Sequence, residues 1–264
     1  MIKLLKFLTS KSSFLLFVFL ELIAFVLIIK THNYAQLKSH SFQTAISGSI
    51  HNKLSVIEQH FNLIKHNRDL LEQNARLMTQ IQQKNTIENN PVLKDQFEFI
   101  PAYAVSNQYN LTHNTLIINK GRSNGVQPEM GVIGVNGVIG IVQKTSENYA
   151  RIISILNKDT KLNVALKHTN FTGFMLWKDN DPNKFSIIDM PADAPIKTGD
   201  TIITSGVSSV FPKGIAIGKI TDYETVPGRK SYKINIKTFM DMTNIGPVYV
   251  VKNKFKKQID SLIK

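Results

Sequence analysis

One uninterrupted apolar segment near the N-terminus constrains this chain more than any other feature. Residues 12–29 include fourteen Leu, Ile, Val or Phe side chains and a single charge, Glu21. At ~1.5 Å per residue, a helix of that length spans ~27 Å, close to the ~30 Å hydrocarbon core of a bilayer. The apolar side chains favour insertion by about 4–8 kcal/mol, which outweighs the ~3 kcal/mol cost of one central charge. The segment is therefore predicted to be a transmembrane anchor.

The lysines around this segment predict its orientation. Lys3, Lys6 and Lys11 precede it within the tail 1–11, whereas only Lys30 follows closely. Positive charge is retained in the cytoplasm, so we expect a cytoplasmic N-terminus and the remaining chain on the other side of the membrane. In a bacterium this would be the inner membrane, with the bulk of the chain in the periplasm. A cleaved signal peptide is the alternative, but no small-x-small cleavage site follows the segment.

Glu21 lies near the middle of the predicted anchor. A carboxylate at that depth is costly and usually faces a protein partner, so Glu21 is a candidate contact with a neighbouring transmembrane helix. The alternative is a protonated side chain that is simply tolerated in lipid.

A linker over 30–53 is followed by a heptad pattern, which predicts a coiled-coil dimerisation helix over 54–88. The two rows at a dimer seam would be Val56, Leu63, Leu70 and Leu77 at d, and His60, Asn67, Asn74 and Ile81 at a. Paired asparagines at a would fix the register of two helices at some cost in stability. A third row, Ile57, Ile64, Leu71 and Met78, widens the apolar stripe, so an amphipathic helix packed on its own domain stays open as the alternative.

The pattern changes at residue 97, and residues 97–264 predict a β-rich head. Short β-branched runs alternate with Gly, Asn, Asp and Pro clusters, and Asn136-Gly137 is a strong hairpin signal. The runs are 115–118, 131–135, 138–142, 151–156, 162–166, 172–177, 185–190, 200–205, 215–222, 232–238 and 248–252. The pattern indicates a mainly β fold in a sandwich or small barrels.

Composition excludes several functional classes. The chain has no cysteine, which excludes disulfide scaffolds, thiol nucleophiles and zinc sites that need sulfur. A net charge of +13 raises the question of nucleic acid. The densest basic cluster is Lys252, Lys254, Lys256 and Lys257, and no arginine-rich arm or nucleic-acid motif accompanies it. We interpret this cluster as a solvated terminus and expect no nucleic-acid partner.

Two patterns could carry chemistry. Ser205 in Thr204-Ser205-Gly206 suggests a serine nucleophile, but this needs a histidine base, and His113 and His168, the two histidines of the head, both lie in polar turn-like stretches. Residues 179–183 begin like a calcium loop but lack the glycine and glutamate that such a loop needs at its sixth and twelfth positions. We therefore predict no catalytic, metal or cofactor site.

Several short sequence words carry a resemblance to a known family. They are Ile118-Asn119-Lys120-Gly121, Gly125-Val126, Val132-Ile133-Gly134, Gly137-Val138-Ile139-Gly140, Asn148-Tyr149-Ala150-Arg151, Gly199-Asp200, Thr204-Ser205-Gly206, Val210-Phe211-Pro212-Lys213-Gly214-Ile215 and Ile217-Gly218-Lys219. In this order and spacing, residues 100–222 resemble the rod shape-determining protein MreC family. Ser208-Ser209, where many relatives carry glycine, and Pro195 depart from the pattern.

The resemblance implies a non-enzymatic scaffold of bacterial cell-wall elongation. It implies a homodimer with a head of two small β-barrels that binds the elongation-specific penicillin-binding transpeptidase and associates with RodA, MreD and MreB. The subdomain split is expected near 150–165, and whether the last strands return to the first barrel is left open. The alternatives are a periplasmic efflux adaptor, which usually needs a second coiled-coil arm, and a membrane-anchored chymotrypsin-like serine protease.

Overall fold

The computed structural model describes residues 12–31, 62–84 and 96–263, apart from positions 170, 179, 227 and 229. The predicted tail 1–11, most of the linker and two predicted seam residues, Val56 and His60, lie outside the described residues. The chain divides into two units between Asn67 and Arg68. Helix α1 (Ser12–Thr31) lies in the first unit, and most of helix α2 (62–84) and the whole head lie in the second.

Helix α1 covers the apolar segment that the sequence predicts to be an anchor. It runs for 20 residues, and large side chains such as Phe14, Phe19 and Phe25 are exposed. Within the described ranges, no helix combines the length and hydropathy of a membrane-spanning segment. The transmembrane anchor therefore stays a prediction.

The head consists of two closed antiparallel barrels of six strands each. The first contains β1 (Phe97–Asn107), β2 (His113–Ile118), β3 (Gly131–Gly134), β4 (Gly137–Thr145), β5 (Ala150–Asn157) and β12 (Pro247–Asn253). The second contains β6 (Leu162–Leu166), β7 (Thr172–Leu176), β8 (Lys184–Pro191), β9 (Thr201–Thr204), β10 (Ala216–Thr225) and β11 (Ser231–Thr238). A C-terminal helix, α3 (Lys256–Ile263), follows β12.

Strand order shows how each sheet closes. The first barrel runs β1-β12-β3-β4-β5-β2 and the second β10-β11-β8-β7-β6-β9. The chain crosses between them at residues 158–161, and β12 returns to the first barrel between β1 and β3. Closure pairs the strand edges that short sheets would otherwise expose.

Alternating side chains fill the barrels. In β11, Ile234 and Ile236 are buried, whereas Lys233 before them and Lys237 after them point outward. This period of two places one apolar row inside and one polar row in water. The prediction of a mainly β fold with two small barrels is confirmed.

Two elements were not predicted from the sequence. Strand β1 contains Pro101, paired with Tyr249 of β12, and proline interrupts the pattern by which strands are recognised. Helix α3 contains part of the basic cluster that we interpreted as a solvated terminus. That interpretation is wrong for Lys256, whose side chain is only 19% exposed and makes two ion pairs.

Candidate interaction surface

Helix α2 has two apolar rows that face in different directions. Leu71 and Ala75 are buried in the core of the head, and Met78 packs against the same core. The large apolar side chains of the other row are exposed, and these are Leu63, Leu70, Leu77 and Ile81. The unusually wide stripe in the sequence is therefore divided. One part packs on the chain's own head, as the amphipathic-helix alternative predicts, and the predicted d row remains accessible.

Asn74, predicted for the seam, contacts the head instead. Its side chain hydrogen-bonds the phenol of Tyr249 on β12, and Tyr249 is almost fully buried. Burial raises the pKa of this phenol above its ordinary value, the bond from Asn74 opposes that rise, and nearby Tyr103 adds to it. Because the neutral phenol is favoured, Tyr249 joins helix and barrel as an uncharged group.

This contact should weaken in alkaline solution. A pKa raised by folding contributes stability that is fully present below the unfolded value, about 10 for tyrosine, and is lost as the pH rises through the folded pKa. We therefore expect Tyr249 to ionise after the exposed tyrosines, as measured by tyrosinate absorbance, together with loss of α2 packing. Tyr249→Phe should remove this last step alone. A tyrosinate titration that is identical in both proteins would contradict the assignment of the last ionisation to Tyr249.

Glycines on β3 bring the two barrels together. A Cβ added at Gly131 would lie 2.4 Å from Cε1 of Phe211, and one added at Gly134 would lie 2.9 Å from Met240. Phe211 lies between β9 and β10, and Met240 follows β11, so both side chains come from the second barrel. At Gly131 a Cβ would clash with the buried Phe211 ring, so this approach needs a residue without Cβ, whereas at Gly134 the flexible end of Met240 could move aside. We call these two pairs the inter-barrel contact, and they give Gly134 and Phe211, which belong to the motifs shared with the family, a packing role.

An open groove of about 600 Å³ lies beside the inter-barrel contact. Val135, 64% exposed on the β3–β4 hairpin, and Phe239, 39% exposed after β11, place one accessible apolar side chain on each barrel. Residues of α2 and of both barrels line this inter-barrel groove, namely Met78, Ile81, Gln82, Phe99, Ile133, Gly134, Val135, Asn136, Gly137, Gly214, Ile215, Ala216 and Phe239. A partner that enters it would contact both barrels and α2 at once.

Ser205 serves the turn after β9. Its hydroxyl donates to the carbonyl of Asn163 at 3.3 Å and accepts from the amide of Val207 at 3.3 Å. The residue is buried, and neither of its bonds involves a histidine. A nucleophilic serine needs an imidazole within hydrogen-bond reach, so this geometry is that of a structural turn.

The histidines of the head also occupy structural positions. His113 lies 3.0 Å from Asp159 through Nε2 and 3.0 Å from the Thr112 hydroxyl through Nδ1. The hydroxyl, the imidazole and the carboxylate form a hydrogen-bonded chain like that of a serine protease. His113 and Asp159 are largely exposed, however, whereas catalytic groups stabilise charge in a pocket from which water is excluded. His168 has a positive φ of 71° in the turn after β6. The His113–Asp159 pair joins the first barrel to the inter-barrel connection.

In the candidate calcium loop, the Asp181 carboxylate is engaged by its own chain. Asp181 Oδ1 accepts from the amide of Asn183 at 2.9 Å, and Oδ2 lies 3.2 Å from Lys184 Nζ. The amide bond and then the Lys184 charge hold the pKa of Asp181 below its ordinary value. Among the residues that the structure describes, no group of acidic or histidine side chains could hold a metal ion.

Comparison with known proteins agrees with this architecture. The family model described as "Rod shape-determining protein MreC, barrel core" matches residues 104–252, which span most of both barrels. This chain belongs to the MreC family. The family is one of shape-determining structural proteins.

Individual MreC relatives match over different lengths. The cell shape-determining protein MreC of Listeria monocytogenes is 28% identical over 199 residues, which are 71% of this chain and 67% of that protein. The Bacillus subtilis MreC is 30% identical over 144 residues, and the match spans half of that protein. A solved L. monocytogenes MreC structure has a TM-score of 0.58 at 27% identity and covers 71% of this chain and 94% of that one. An MreC structure from Pseudomonas aeruginosa, at 18% identity and TM-score 0.54, covers 58% of this chain and 98% of that one and shares the fold.

The predicted site residues fall into separate places. Glu21 lies on α1. On α2, Asn67 is exposed and Asn74 contacts the head. The exposed apolar row of α2 consists of Leu63, Leu70, Leu77 and Ile81. Sequence reasoning did not identify the inter-barrel contact or the groove. The only signal for them was the clustering of glycines in Gly131-Val132-Ile133-Gly134, which did not reveal the residues facing them.

Proposed function

We propose that this protein is a non-enzymatic scaffold of bacterial cell-wall elongation that maintains cell shape by binding and organising peptidoglycan synthases. The observation that carries the proposal is the match of the MreC family model across both barrels. The inter-barrel groove supports it, since a scaffold acts through surfaces that partners can contact. By family resemblance, its partners are the elongation-specific penicillin-binding transpeptidase, RodA, MreD and MreB.

The proposed topology places the head in the periplasm. Helix α1 would cross the inner membrane once, with the tail 1–11 in the cytoplasm because its three lysines favour that side. The exposed apolar side chains of α1 agree with this, since such a surface is stable when lipid or another protein covers it.

Dimerisation would use the exposed row of α2. Leu63, Leu70 and Leu77 recur every seven residues, and their side chains are exposed. Because the other apolar row of α2 is buried in the head, pairing of two helices along these leucines would also bring two heads together.

The transpeptidase proposal is tested by co-purification from membranes. Phe239→Asp places a charge in the inter-barrel groove, where an apolar partner surface could not solvate it, so recovery of the transpeptidase should fall at least tenfold, about 1.4 kcal/mol. Phe174→Asp is the matched control, because Phe174 is 38% exposed on β7 and does not line the groove. Equal recovery from both variants, at equal thermal stability, would place the partner elsewhere.

The same co-purification tests Glu21. We propose that its carboxylate hydrogen-bonds a polar group on a transmembrane helix of MreD, because a charge within an apolar segment is stabilised by a polar partner. Glu21→Leu makes the segment more apolar, so its amount in the membrane should be unchanged while less MreD is recovered. Full MreD recovery with normal cell shape would leave Glu21 as a tolerated side chain.

A further inference from the structure

The C-terminal helix α3 makes contacts that reach both barrels. Lys256 Nζ lies 2.7 Å from Asp260 Oδ2 one turn later and 3.0 Å from Glu129 Oε2, which precedes β3 of the first barrel. The other oxygen of Asp260 accepts from the Ser209 hydroxyl at 3.4 Å. Ser209 belongs to the segment between β9 and β10 of the second barrel, the same segment that carries Phe211.

A second bond reinforces this connection. The Asn253 side-chain amide, at the end of β12, donates to the carbonyl of Ser209 at 2.8 Å. Asn253 is buried, so this amide needs its acceptor. Ser209 therefore contributes both its carbonyl and its hydroxyl to the C-terminal segment.

Lys256 differs from an ordinary surface lysine. Burial alone would lower its pKa, but the bonds to Asp260 and Glu129 outweigh this and raise it. Glu129 has a positive φ of 66°, an uncommon conformation for a residue other than glycine. This conformation belongs to the turn Gln127–Met130, in which Glu129 follows Pro128 and the amide of Met130 donates to the carbonyl of Gln127 at 3.4 Å. The turn presents the largely exposed Glu129 carboxylate to the largely buried ammonium of Lys256.

We propose that Lys256, Asp260, Glu129 and Ser209 form a C-terminal bridge, an electrostatic device that fixes the angle between the two barrels. The bridge lies on the segment that also supplies Phe211, so it holds that segment against the first barrel. Salt should weaken the bridge but leave the apolar inter-barrel contact in place. Screening shortens from about 10 Å at 0.1 M to about 3 Å at 1 M and weakens partly exposed ion pairs, whereas apolar burial is not screened.

The test measures the inter-barrel distance directly. Because the chain has no cysteine, Gln143→Cys on β4 and Thr172→Cys on β7 give two unique, exposed spin-label positions, one on each barrel. The labelled full chain, in detergent, is diluted with unlabelled chain so that distances within one chain are measured by pulsed electron resonance. Lys256→Met should add a second distance population that is absent from the parent chain, and salt at about 1 M should add the same population to the parent.

Matched variants separate the bridge from general effects. Lys184→Met breaks an ion pair confined to the second barrel, Lys184–Asp181, and should leave the distances unchanged. Glu129→Gln and Ser209→Ala each remove one connection, and both should add the second population to a smaller extent than Lys256→Met. If Lys256→Met fails to fold, these milder variants decide. Distances that are unchanged in all three bridge variants and in high salt would overturn the proposal, as would an equal effect of Lys184→Met.

Discussion

Replacing Phe211 with alanine should lower the free energy of unfolding by about 3–5 kcal/mol, the usual cost of removing a buried phenylalanine ring. The ring is 2% exposed and lies against Gly131 of the other barrel, so its loss leaves a cavity between two β-barrels that cannot easily collapse. Urea titration followed by fluorescence of Trp177, the only tryptophan and buried in the second barrel, measures the change.

The control and a companion variant make this result specific. Phe174→Ala, at an exposed ring, should cost far less. Gly131→Val pushes a side chain into the Phe211 ring and should cost about 1–3 kcal/mol or more. Because the two residues are in contact, Gly131→Val with Phe211→Ala should be less destabilising than the sum of the single changes. Strict additivity would show that the ring and the glycine are energetically independent.

Replacing both Leu63 and Leu70 with aspartate should convert the proposed dimer into a monomer with a folded head. Both side chains are exposed on α2 and belong to the predicted d row, so two charges from each helix would have to be buried at the seam. Sedimentation equilibrium of residues 31–264 should give half the mass of the parent protein.

The buried row of the same helix supplies the control for dimerisation. Leu71→Ala removes a contact with the head and should lower its stability by about 2–5 kcal/mol without changing the mass. A dimer mass that persists in the double aspartate variant would place the interface outside the leucine row.

The sequence predicted the features that depend on neighbouring residues. A period of two in runs such as 232–238 predicted strands, and Asn136-Gly137 predicted the turn between β3 and β4. The resemblance to the MreC family then implied the two-barrel fold. Strand β1 was missed because Pro101 interrupts the local pattern, although pairing with β12 and β2 over its length stabilises the strand. A signal in one segment cannot report a partner that lies far along the chain.

The sequence by itself determined the period of each element, the heptad row on α2 and the absence of cysteine chemistry. The tertiary structure alone decided which apolar row of α2 packs on the head. Leu70 and Leu71 lie in neighbouring rows of one wide apolar stripe, and the sequence does not show which of these rows the head covers. It also decided that Phe211 meets Gly131 and that Lys256 is held between Glu129 and Asp260. These contacts depend on barrel closure and on the return of β12, which bring distant residues together, and distance in space is not encoded in any short pattern of residues.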